Sequence, residues 1–117
     1  MRLNEISYNG NLPIDGYGPG FFRVGGDVFN GPHAVLPSGV VAWGGYDDTA
    51  TLIAALDDLD VLFIGMGAEM AHLPNGFKTT LEEAGLNVEG MASPTAARTY
   101  NVLLSEGRRV GVALLPL

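Results

Sequence analysis

Arg98 and Asn101 stand three residues apart in Met91-Ala92-Ser93-Pro94-Thr95-Ala96-Ala97-Arg98-Thr99-Tyr100-Asn101, which puts both on one helix face. A strand leading into a helix start with free N–H groups and partial positive charge is a setting for a small anion or acid. In open α/β sheets such ligands sit beyond the carboxyl ends of strands. Trp43-Gly44 and Gly65-Met66-Gly67 end at comparable places, so the expected ligand pocket is lined by Trp43, Met66, Glu69 and Arg98. Gly65, Gly67, Tyr100 and Asn101 complete the candidate set. In it Arg98 holds the anionic group, Glu69 serves as acid or base, and Trp43 stacks. The competing reading makes Arg98 an ion-pair partner of Glu69, Glu89 or Glu106, with Asn101 tying down a neighbouring loop.

Other chemistries lack their parts. Gly65-Met66-Gly67 follows a strand, but Met70 stands where a dinucleotide fingerprint needs its third glycine, and no Gly-Lys-Ser/Thr loop occurs. The Gly-Met-Gly then reads as a tight strand exit. Glu69-x-x-His72 has the spacing used in carboxylate-bridged di-iron bundles, which need a second copy; the only other histidine is His33. Asp57-Asp58-x-Asp60 lacks the spacing and central glycine of a calcium loop and reads as a charged helix end. No serine lies in a Gly-x-Ser-x-Gly elbow, and with no cysteine there is no thiolate nucleophile, zinc ribbon or iron–sulfur cluster. No catalytic residue, metal site or cofactor is therefore expected, and an enzyme is the less favoured reading.

Alternating helices and strands must position the candidates. From Asp47 onward, Asp47-Asp48-Thr49 caps a helix running to Leu56, and Asp60–Gly65 is a strand apolar on both faces. A helix follows at Asn75–Ala84, closed by Gly85, then a less central strand at Leu86–Met91. The third helix opens with Ser93 as N-cap and Pro94 at its first position and stops at Gly107. Arg108–Leu115 is a last strand, apolar on both sides and so interior. Ten of the 17 glycines fall between Gly10 and Gly45. There the pattern gives short strands at Glu5–Tyr8, Phe21–Val24, His33–Leu36 and Gly39–Trp43, with an irregular loop around Asn11–Gly20. The expected fold is α/β, three-layered. A central mixed, mostly parallel sheet is flanked by helices, with a small Gly-rich β layer from the N-terminal third.

The 117 residues make one domain, 1–117, with 47% apolar and 16% charged residues. The net charge of −7 disfavours nucleic acid, whose phosphates need clustered Lys and Arg. The start Met1-Arg2-Leu3-Asn4-Glu5 carries neither a signal-peptide core nor a basic amphipathic presequence. No apolar run approaches the ~20 residues of a membrane span. A soluble, cytoplasmic protein is expected.

Several residues recur in order as a pattern: Glu5-x-Ser7-Tyr8, Leu36-Pro37, Trp43, Gly65-Met66-Gly67, Met91-x-Ser93-x-x-Ala96-Ala97-Arg98-Thr99-Tyr100-Asn101-x-Leu103, Glu106-Gly107-Arg108-Arg109-Val110 and Ala113-Leu114-Leu115-Pro116. With it the whole chain resembles a small α/β domain of unknown function. That domain is shared by bacterial and archaeal proteins and the mitochondrial complex I assembly factor three family. The resemblance implies a three-layer α/β fold and a non-catalytic role in assembling respiratory NADH:ubiquinone oxidoreductase, or a bacterial equivalent. It also implies a protein partner, either subunits of that membrane complex or another assembly factor, and a place at the inner membrane through that partner. Lacking a presequence, the chain is expected to come from a bacterial or other free-living source. The function classes that stand are this interaction protein and, as the alternative, a small-molecule or anion binder or enzyme at Arg98.

Overall fold

The computed structural model describes residues 12–117. The strand expected at Glu5–Tyr8 lies outside them. Two runs that are apolar on both faces, β6 (Val61–Met66) and β8 (Val110–Leu115), pair in parallel at the middle of a five-stranded sheet. The order is β5-β4-β8-β6-β7, with β4 at His33–Leu36, β5 at Gly39–Ala42 and β7 at Val88–Met91. β7 is parallel to β6, whereas β4 runs antiparallel to both β5 and β8. The sheet is thus mixed, with two parallel and two antiparallel pairings.

The N-terminal third departs from expectation in two ways. The loop foreseen around Asn11–Gly20 contains a strand, β1 (Ile14–Gly18), in a three-stranded antiparallel sheet with β2 (Phe21–Val24) and β3 (Asp27–Asn30). Asp and Gly are poor strand formers, so β1 owes its shape to β2 and to a side chain of the third helix described below. β4 and β5 also leave the small layer. They extend the main sheet because β4 offers Ala34, Val35 and Leu36 as buried residues and needs cover on both faces.

Two helices cover opposite faces. The chain steps from β6 to β7 through α2 (Asn75–Glu83), then back past β6 to β8 through α3 (Ser93–Ser105). Parallel crossovers keep one hand, so reversing direction across the sheet moves the helix to the other side. Buried side chains accordingly form two clusters. One joins Ala96, Ala97, Tyr100 and Leu104 of α3 to Ile14, Phe22 and Val24 of the small sheet and to Phe63, Val112 and Leu114. The other joins Phe77 and Leu81 of α2 to Trp43, Leu52, Leu62, Ile64 and Ala113. The three layers are therefore α3 with the small sheet, the main sheet, and α2 with the segment after β5.

That segment is less helical than expected. Bonds from Ile53 to Thr49 and Ala54 to Ala50 make one α turn, α1 (Ala50–Ile53). They then tighten to Ala55–Leu52, Asp58–Ala55 and Leu59–Leu56. Leu52, Ala55 and Leu59 nevertheless reach the same core. Asp48 organises the turn ahead of it. Its carboxylate accepts from Gly44 N–H at 2.9 Å, Thr51 N–H at 3.2 Å and the Thr51 hydroxyl at 2.8 Å. These bonds, the Gly44 one foremost, hold the carboxyl below the usual carboxylate range. A depressed folded pKa contributes stability above the unfolded value of about 3.9, lost as pH falls through the folded pKa. Trp43, the sole tryptophan, donates its indole N–H to the Asp48 carbonyl and reports on this turn. In unfolding followed by Trp43 fluorescence, Asp48→Asn should be less stable than wild type at neutral pH and converge with it in acid. A gap that stays constant with pH would remove the carboxylate from the account.

Candidate functional site

α3 begins one residue earlier than the capping pattern suggests. The Ala92 carbonyl accepts the first helical bond, from Ala96 N–H at 2.9 Å, so Ala92 is the N-cap and Ser93 is already helical. The Ser93 side chain does not cap. It is buried, accepts Gly67 N–H at 2.9 Å and donates to the Leu115 carbonyl at 2.6 Å. One hydroxyl thus joins the exits of β6 and β8 to the start of α3. The Ser93 N–H adds a 2.8 Å bond to the Gly67 carbonyl. Sequence reasoning missed this clasp; its one local signal is a serine facing a Gly-Met-Gly strand exit.

Tyr100 and Asn101 are committed to the fold. Tyr100 is fully buried and donates its hydroxyl to the Leu12 carbonyl at 2.8 Å; burial pushes its phenol pKa up, keeping it a donor. The Asn101 amide grips Ile14 from both sides, accepting its N–H and donating to its carbonyl, each at 2.8 Å. This doublet mimics a neighbouring strand, satisfies the edge of β1, and binds the small sheet to α3. The competing sequence reading has Asn101 tie down a neighbouring loop; in the fold it ties down Ile14, the first residue of strand β1. α3 ends in a Schellman arrangement: Gly107, at φ 78°, donates to the Leu104 carbonyl and Arg108 to that of Leu103.

The remaining candidates are scattered. Arg98 is exposed on α3, its Nη2 donating to the Thr95 hydroxyl at 3.4 Å, while Glu69 is exposed after β6. Gly65 faces Ser93 and Leu114 on the α3 side of the sheet, whereas Met66 turns to the other side beside Leu73. Trp43 is 3% exposed and packs edge-on to Tyr46 and against Phe77, in the α2 layer. The main sheet therefore separates Trp43 from α3, and the expected pocket of Trp43, Met66, Glu69 and Arg98 does not assemble. The ends of β5 and β6 do lie at the same end of the sheet, because β5 is antiparallel to β4 and so parallel to β8 and β6. Trp43, however, turns to the α2 face while Arg98 is on α3. Two surface cavities lie elsewhere. One of about 400 Å³ is lined by Met70, His72, Asn75, Lys78, Val88 and Gly90, among others. Another of about 390 Å³ is lined by Leu36, Val41, Ala42, Thr51 and Asp58, among others. Among the described residues no three His, Asp or Glu side chains group as metal ligands. Within them no helix is long and apolar enough to cross a membrane.

A mixed sheet between α2 on one side and α3 with a small β layer on the other defines a class of three-layer α/β domain. The same fold occurs in a Mth938-like domain of Bordetella pertussis, with a TM-score of 0.70 at 33% identity over 90% of this chain and 85% of that one. A Bartonella henselae structure described as an outer membrane protein superposes with a TM-score of 0.82 at 33% identity, covering 93% of this chain and 98% of the other. The model of a family described as a protein of unknown function (DUF498/DUF598) matches residues 14–115, and the chain belongs to that family. Among its relatives, an uncharacterised protein of Rhodobacter capsulatus is 51% identical over 117 residues, all of this chain and 94% of that protein. NADH dehydrogenase [ubiquinone] 1 alpha subcomplex assembly factor 3 of Bos taurus is 34% identical over 110 residues, 88% of this chain. The chain spans 60% of the bovine protein's length.

Proposed function

We propose that the chain is a non-catalytic assembly factor that works by binding protein subunits, and that its client is NADH:ubiquinone oxidoreductase. The observation that carries this reading is the shared domain, aligned over 88% of the chain with the bovine and human proteins named as assembly factors for that enzyme. The polar residues of the Ala-Ala-Arg-Thr-Tyr-Asn stretch support it, because Tyr100 and Asn101 spend their hydrogen bonds on backbone groups of the fold. The chain acts at the inner membrane through its partner, either subunits of the complex or a second assembly factor.

Deletion of the gene in the organism that encodes it tests this. Membranes resolved on native gels should lose the full-size NADH:ubiquinone oxidoreductase and accumulate smaller subcomplexes. The tagged protein should co-purify with those subcomplexes and not with the finished enzyme. A deletion strain with full-size enzyme at wild-type abundance would overturn the proposal.

A further inference from the structure

The Leu62 N–H bonds the Asn87 carbonyl at 2.8 Å, which fixes the phase of the ladder between β6 and β7. In a parallel pair, alternate residues of one strand turn their N–H and C=O toward the other. Asn87, Glu89 and Met91 therefore face β6, and Val88 and Gly90 turn both backbone groups outward. β7 is the outermost strand, and among the described residues no backbone bond reaches Val88 or Gly90 from the open side. Two such residues, two apart, match one further strand.

A built groove accompanies this edge. The cavity of about 400 Å³ is lined by Val88, Glu89 and Gly90 of β7 and by Met70, His72, Asn75 and Lys78, among others. Lys78 is one of only six basic side chains on a chain of net charge −7, and among the described residues no ion pair engages it. Met70 is 70% exposed at the same groove, an apolar side chain without cover. Val88 packs with α2, so alternation sends Glu89 to the opposite face of the sheet. The other edge, β5, differs: the cavity beside it holds Asp58 and no cation.

We infer that the groove between β7 and α2 receives an extended segment of a protein partner as an added strand, with an acidic side chain of that segment held by Lys78 beside His72. The inference rests on the reading of the chain as a protein-binding factor and names the binding mode. Val88 and Gly90 supply sequence-independent main-chain bonds; Lys78, His72 and Met70 supply selectivity. A second copy of this chain is a poorer occupant, since it brings a net charge of −7 against an equally acidic surface.

Selection of a displayed library of short random peptides against the full chain tests it, followed by hydrogen exchange of the ¹⁵N-labelled protein with the enriched peptides. Enriched peptides should carry an acidic residue and slow exchange of the Val88 and Gly90 amides. Lys78→Glu should weaken them by about tenfold, as expected for reversing one partly exposed charge pair, and Lys78→Arg should restore binding. Failure to enrich any peptide, protection at β5 or β3 instead, pairing of β7 with β7 in a dimer, or unchanged affinity in Lys78→Glu would each overturn the inference. The deletion strain separates the two readings. If deletion blocks complex assembly but a Lys78→Glu strain assembles normally, the groove fails and the assembly role stands. If deletion leaves the complex intact, the assembly role fails, and peptide binding alone judges the groove.

Discussion

Tyr100→Ala should lower the stability of this domain by about 3–5 kcal/mol, the usual cost of truncating a large aromatic in a core. Small domains hold only about 5–15 kcal/mol in total, so the melting temperature should fall by roughly 10–20 °C. The size of the effect comes from position. Tyr100 has no exposed surface and sits where α3, the small sheet and the main sheet meet. Its ring fills that junction, while its hydroxyl reaches Leu12 at the entrance to β1. Tyr100→Phe separates the two contributions. It keeps the ring and removes one hydrogen bond, so the loss should shrink to about 1 kcal/mol. An alanine variant that melts with the wild type would mean that the small sheet and α3 are not coupled through this residue.

The second large effect is at Gly65. A Cβ there would stand 2.7 Å from both Leu114 Cδ2 and Ser93 Oγ, and 3.0 Å from the Ser93 Cα. Leu114 is fully buried in the central strand and has little room to yield. Ser93 can move only by letting go of Gly67 and Leu115. Gly65→Ala should therefore combine overpacking, about 1–3 kcal/mol, with loss of a buried hydrogen bond, about 1–3 kcal/mol. Gly65→Val should not yield folded protein. Urea unfolding reads the alanine variant as a lower midpoint at unchanged slope. Gly76→Ala is the control: in the first turn of α2 its Cβ meets nothing within 4 Å. Replacing glycine by alanine in a helix favours the fold by up to about 1 kcal/mol. Gly65→Ala as stable as Gly76→Ala would refute the close approach of α3 to β6.

Both effects concern residues that the sequence marks out without saying why. Gly65 and Tyr100 enter the reading as candidates for a ligand site because a strand exit followed by a polar helix start often binds one. In the fold they are packing and bracing positions. The local pattern is the same for both roles, since it reports which residue types are near each other along the chain. Whether a side chain meets solvent or another strand depends on segments far away. Asn101 bonds a residue 87 positions earlier, and Ser93 bonds one 22 positions later.

The sequence by itself determined the interior strands, the helices that join them and the absence of a familiar catalytic motif. Val61–Met66 and Val110–Leu115 carry apolar residues on both faces, which water rejects wherever the chain places them, so both lie mid-sheet. Gly85 and Gly107 mark helix ends because both need positive φ, at 105° and 78°. Tertiary structure decided the rest. It made a strand of Ile14–Gly18, whose hydrogen-bond partners come from β2 and α3. It sent β4 and β5 to the main sheet, with β4 antiparallel to its centre. It put Trp43 and Arg98 on opposite sides of that sheet, and left β7 with an open edge beside Lys78. Burial is written into the local pattern because it depends on a residue's own chemistry. Pairing, face and edge depend on which distant segment arrives alongside, and that is settled only when the layers pack.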